Sequence, residues 1–105
     1  MITPETIRAA AALLAAAARP ARIFLFGSHA RGDARDESDV DFLVVKPLVL
    51  DRRAEMVRLR DVLRPLRLPV DVLVVSDATF ARWSTVPGTV IWHAAHEGRL
   101  VDVAA

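Results

Sequence analysis

A chain of 105 residues with 53% hydrophobic residues and a net charge of +1 has room for one modest core and lacks the strong field of a dedicated nucleic-acid binder. It has no cysteine, which excludes disulfides and thiolate metal sites and fits a reducing, cytoplasmic setting. So small a core leaves apolar surface over, which favours a hetero-oligomer or other partner protein.

Thr3 reads as an N-cap, Pro4 as the first residue of a helix and Pro20 as its stop. Ile7, Ala10, Ala11 and Leu14 recur there at helical spacing. The run is mostly alanine, follows Glu5 and is bracketed by Arg8 and Arg19. It is too short for a membrane span and the wrong shape for a signal peptide, so an amphipathic helix without membrane contact is expected. Arg22–Phe26 is a short apolar run ending at Gly27, hence a buried strand, and Ser28–Gly32 follows as one helical turn. Asp33–Ser38 is an acidic loop, Val40–Val45 a second buried strand, and Lys46-Pro47 closes it.

Asp51 is placed to cap a helix running to about Leu63, with Met56, Leu59, Leu63 and Leu66 as its apolar stripe. Pro65 and Pro69 bound a turn, and Val70–Val75 repeats the pattern of the second strand. Ser76 or Asp77 caps a short helix to about Trp83, Pro87-Gly88 breaks the chain, and Thr89–Glu97 forms the last helix with Gly98 after it. The expected fold is α/β: a small three-stranded mixed sheet flanked by helices, with residues 1–105 as one domain.

Residues two apart on a strand share a face, so Asp39 and Asp41 point the same way, and Asp71 stands in a similar setting at the start of the third strand. Three carboxylates in apolar strands call for a compensating cation. Magnesium fits, because it takes oxygen ligands from one or two carboxylates and substrate phosphates. Two such ions about 4 Å apart clamp the attacking and leaving oxygens of a phosphoryl displacement. If the first two strands are antiparallel and the third is parallel to the second, Gly27-Ser28 and the three acids meet at one edge. Gly27 would then let a phosphate approach, with the Ser28 hydroxyl and nearby amides binding it. A Gly-Ser pair alone reads as a mere turn, and Asp-x-Asp alone as a cap or solvated loop. Their combination with a third strand-borne Asp carries the chemical reading.

At these residues the sequence resembles the nucleotidyltransferase superfamily that includes the DNA polymerase β palm, and more closely the minimal nucleotidyltransferase (MNT) family. Gly27-Ser28, then His29 to Ser38, then Asp39-Val40-Asp41 match the family pattern without a gap. The Ala30-Arg31-Gly32 stretch and Ser38 match its extended form, while His29 departs from it. The resemblance implies a magnesium-dependent enzyme that moves a nucleoside monophosphate, AMP from ATP, onto a hydroxyl of a partner. It implies Gly27, Ser28, Arg31 and Ser38 as nucleotide-binding residues. Asp39, Asp41 and Asp71 become ligands of two Mg²⁺ ions, with Asp71 as base. It further implies a helical HEPN-domain toxin as partner, with this chain as its antitoxin. The alternatives are a non-catalytic antitoxin that acts by binding, and a nucleotidyltransferase acting on RNA or a small molecule; a nucleic-acid acceptor is the less favoured.

Other residues are open to two readings. Arg31 could contact a phosphate or pair with Asp33, Asp36 or Glu37. Arg60, Arg64 and Arg67 form a basic stripe that is either a solvated face or a surface for an acidic partner or an RNA backbone. His93 and His96 have a spacing that zinc tolerates but lack a third ligand, so they read as ordinary helix residues, and Trp83 and Trp92 as core or interface anchors. With no tyrosine, the chain cannot modify itself on one.

Overall fold

The computed structural model describes residues 2–105. Its elements run α1 (Pro4–Ala18), β1 (Ala21–Phe26), α2 (Ser28–Arg31), β2 (Val40–Lys46), α3 (Arg52–Val62), a 3₁₀ turn (Arg64–Leu66), β3 (Val70–Ser76), α4 (Asp77–Trp83), α5 (Val90–His96) and β4 (Arg99–Ala104). The helix starts are set by hydroxyl and carboxylate caps. Thr3, Asp51, Ser76 and Thr89 each accept a backbone N–H three residues on, at 3.0–3.2 Å.

The four strands lie in the order β3–β2–β1–β4. β1 is antiparallel to both β2 and β4, and β2 is parallel to β3 through the α3 crossover, so the sheet is mixed. The fold class agrees with the sequence, but the sheet has four strands where three are expected. The extra strand, β4, is an edge strand with Leu100 and Val103 exposed, so it lacks the continuous apolar run by which buried strands announce themselves. Its pairing with β1 shifts register between Ile23 and Phe24.

One face of the sheet packs on α1 and α3. Ala10, Ala11, Leu14, Leu59 and Leu63 meet Ile23, Leu25, Val40, Phe42 and Val44 there, and the α1 alanines let that helix lie close to the strands. The other face gathers Leu43, Val45, Val75 and Ala94 with Phe24, Phe26, Phe80 and Ile91. β2 is therefore buried on both faces, which explains its unbroken apolar sequence. Asp41 is the one acid inside β2, and it belongs to the second face.

A polar network fixes the far end of β2. Glu55 on α3 accepts from Lys46 Nζ and from Arg58 Nε at 2.7 Å, and Arg58 also donates to the Ala17 carbonyl at 2.8 Å. This ties β2, α3 and the end of α1 together. The Arg58 hydrogen bond, joined by Lys46, holds the Glu55 carboxyl down at about 2 despite its burial. A depressed folded-state value adds stability that is fully present above pH 4.5 and is lost as pH falls toward 2. Glu55→Gln should cost about 1–3 kcal/mol at pH 7. In melting curves taken across pH, the gap from the parent should close below pH 4.5; a gap independent of pH would rule out the charged network as its cause.

Candidate active site

β2 is the centre of the site. In the register of the sheet, Asp41 stands opposite Phe26 of β1 on one side and opposite Asp71 of β3 on the other. The antiparallel β1–β2 pair brings the end of β1 to the start of β2, and the parallel β2–β3 pair brings Asp71 to the same edge. Asp39 lies two residues before Asp41, just outside the strand, and is exposed.

Directly after Phe26 the chain must turn past the Asp41 carboxylate. Gly27 does so at φ 74°, and a Cβ at this position would overlap Asp41 Oδ2. Only glycine meets both demands. α2 then begins at Ser28, and its first amides have no acceptor inside the helix. A second glycine, Gly32, ends α2 in the left-handed region and donates to the Ser28 carbonyl at 2.9 Å.

The loop between α2 and β2 is clamped at both ends. His29 Nε2 lies 3.1 Å from the Ser38 carbonyl, and the Ser38 hydroxyl accepts the Arg35 N–H at 2.8 Å. In this arrangement Ser38 shapes the approach to Asp39 through its loop contacts. Of the two sequence readings for Arg31, the structure displays the pairing with Asp33, at 3.3 Å and exposed to solvent.

Burial raises the Asp41 carboxyl above its ordinary value, and the nearby charges of Asp71 and Asp39 raise it further against the pull of His29 and Arg31. The three acids thus feel one another. Among the described residues, however, no three His, Asp or Glu side chains are close enough to hold a metal as they stand. Asp71 instead faces Arg60 of α3, whose Nη2 lies 3.6 Å from its Oδ1. The donor set is nevertheless that of a hard cation, with carboxylate oxygens only, and the Gly27 turn runs so close to Asp41 that a Cβ there would meet its carboxylate.

Two surfaces next to the acids take shape only in the fold. On the acids' own face, Leu43 and Leu73, two residues past Asp41 and Asp71, open an apolar hollow of about 600 Å³ that reaches Trp83 and Ile91. At the strand starts, a groove of about 540 Å³ joins Asp39 to Arg60, Arg64 and Arg67. The stripe was visible in the sequence; its position beside the acids follows from the α3 crossover. Farther away, His93 Nδ1 lies 2.9 Å from Glu97, His96 Nε2 lies 2.9 Å from the Ser84 carbonyl, and Trp92 packs against both imidazoles.

Residues 7–91 match the nucleotidyltransferase domain family. The chain belongs to this family. Its fold is similar to that of a chain in a crystal structure of a toxin–antitoxin with AMP-PNP, with a TM-score of 0.62 and 19% identity, covering 92% of this chain and 73% of that one. Comparison with curated proteins returns no match. No helix among the described residues of this nucleotidyltransferase-family chain is long and apolar enough to cross a membrane.

A raised folded-state carboxyl favours the fold fully at acid pH, and that contribution is lost as pH rises through the raised value. Asp41→Asn, measured without divalent metal, should therefore melt higher than the parent at neutral pH. The gain should vanish as pH falls below the ordinary carboxyl value of 3.8. A lower melting temperature at neutral pH would mean that Asp41 holds the sheet together.

Proposed function

We propose that this chain is a magnesium-dependent nucleotidyltransferase that transfers AMP from ATP to a hydroxyl on a partner protein, as the MNT antitoxin of a helical HEPN toxin. The observation that carries the reading is the register that sets Asp41 between Asp71 and the Gly27 turn, in a chain of the nucleotidyltransferase family. The similar fold in a toxin–antitoxin structure with AMP-PNP supports both the nucleotide and the partner. Residues 1–105 act as one nucleotidyltransferase unit, in the cytoplasm.

Gly27 turns the chain past Asp41 without a side chain, and the Ser28 hydroxyl with the first amides of α2 binds the triphosphate oxygens. Arg31 exchanges Asp33 for a phosphate, which costs little because its present pair is exposed. Ser38, anchored by His29 and the Arg35 amide, holds Asp39 at the nucleotide. Asp39 and Asp41, with Asp71 from the neighbouring strand, would hold two Mg²⁺ ions, which supply neutralising charge for the phosphates and the departing pyrophosphate. Asp71, half exposed at the sheet edge, takes the proton of the acceptor hydroxyl. The hydroxyl oxygen forms a bond to the α-phosphorus, the bond from that phosphorus to the bridging oxygen breaks, and pyrophosphate leaves.

The chain supplies acids and a phosphate cradle, and the acceptor must be presented from outside. Exposed Leu48, Leu50, Trp83 and Val90 provide apolar surface for a docking protein. ATP labelled at the α-phosphorus should mark a co-expressed helical partner, with pyrophosphate released, and leave this chain unmarked. Asp71→Asn should slow transfer by roughly 100-fold or more while leaving the complex intact on gel filtration. Unchanged transfer would remove Asp71 from the chemistry. A tight complex with no transfer by the parent would show that the chain acts by binding alone.

A further inference from the structure

The strand order gives the acid edge two unlike sides. Gly27 and Ser28 flank Asp41 on the β1 side, and Asp71 flanks it on the β3 side. With phosphates bound at the glycine turn, an acceptor hydroxyl has to approach Asp71 from beyond β3. That approach is not neutral. Arg60 of α3, Arg64 of the 3₁₀ turn and Arg67 just after that turn line, together with Asp39, the groove of about 540 Å³.

The groove's remaining walls are Leu63, Leu68, Pro69 and Val70, with Asp61 at the side. Its cations are lightly held. Arg60 reaches Asp71 only at 3.6 Å with its side chain 55% exposed, and Arg64 pairs with Asp61 at 2.6 Å while 80% exposed. Exposed pairs of this kind are worth little, so an incoming carboxylate can replace either partner at small cost. Arg67 has no ion pair among the described residues.

Resting on the nucleotidyl-transfer reading, we propose that this groove seats an acidic segment of the partner polypeptide and thereby delivers its hydroxyl to Asp71. Three features favour a polypeptide over an RNA strand. Asp39 and Asp61 sit among the three arginines, so the local excess of positive charge is small, whereas a phosphate chain is bound by neutralising many charges at once. The walls between the arginines are aliphatic, which suits the Leu or Val side chains of an amphipathic acidic segment. The net charge of +1 gives no long-range attraction for a polyanion. Arg60 gains a second part here: it occupies Asp71 while the groove is empty and turns to the incoming carboxylate when the groove fills.

The test uses a fluorescent peptide of alternating Glu and Leu around one central Tyr, its counterpart with Gln for Glu, and a decaadenylate RNA. Fluorescence anisotropy should show the acidic peptide binding the full chain about tenfold tighter than the Gln peptide, with the advantage shrinking in salt. Arg64→Glu with Arg67→Glu should remove that advantage while changing calorimetric Mg²⁺–ATP binding by less than about twofold, since neither residue belongs to the nucleotide site. Should the double variant fail to fold, Arg67→Gln is measured in the same way, and the comparison of peptides on the parent needs no variant. Equal binding of the two peptides, undiminished acidic-peptide binding in the charge-altered variant, or tighter binding of the RNA than of the acidic peptide would each overturn the proposal. Acidic-peptide binding without Mg²⁺–ATP binding would uphold the groove and overturn the nucleotidyl-transfer reading.

Discussion

The close approach of the Gly27 backbone to the Asp41 carboxylate shapes the whole acid edge. β1 ends opposite Asp41, and its next residue has to leave the sheet without striking that side chain. A left-handed glycine solves the problem and starts α2 in the same step, so the amides at the helix start and the carboxylate are fixed by one turn. The electrostatics follow from the same packing. Asp41 lies on a face shared with Leu43, Phe24 and Phe26, and Asp71 and Asp39 stand nearby, so burial and like charge both oppose its ionisation. A cation bound between the acids would reverse both effects, and for that reason we read the edge as a binding site.

The rest of the fold keeps this edge in place. β2 is clamped between two apolar layers, and its far end is held by the Lys46, Glu55 and Arg58 network that reaches the end of α1. The parallel β2–β3 register then fixes Asp71 against Asp41 without any direct bond between them. A site built on strands in a double core is positioned more firmly than one carried by loops. The softer parts lie outside it: the Asp33–Ser38 loop, held by a few polar contacts, and the exposed arginines of α3.

Much of this was legible in the sequence, for identifiable reasons. β2 and β3 are apolar runs bounded by prolines and polar residues, and Thr3, Asp51 and Ser76 are caps whose chemistry is local. The Gly27-Ser28 to Asp39-Val40-Asp41 spacing was readable because the turn and the acids lie on consecutive strands. β4 was not readable, because an exposed edge strand has no buried run to mark it. The Arg60–Asp71 pair was hidden for another reason. It joins a helix to a strand across the crossover, and its existence depends on where α3 packs rather than on the spacing of either residue. The pairing of Arg31 with Asp33 was one of several equal choices on paper, and only the loop's path selects it.

The most direct test of the central claim locates the nucleotide on the sheet. Mn²⁺ bound to a non-hydrolysable ATP analogue broadens amide NMR signals steeply with distance. The account predicts that Gly27, Ser28, Asp39, Asp41 and Asp71 broaden first, while Ala104, which pairs with Ala21 at the other end of β1 some 20 Å away, is spared longest. Broadening centred on any other part of the chain, or none when Mn²⁺ and the analogue are present together, would contradict it.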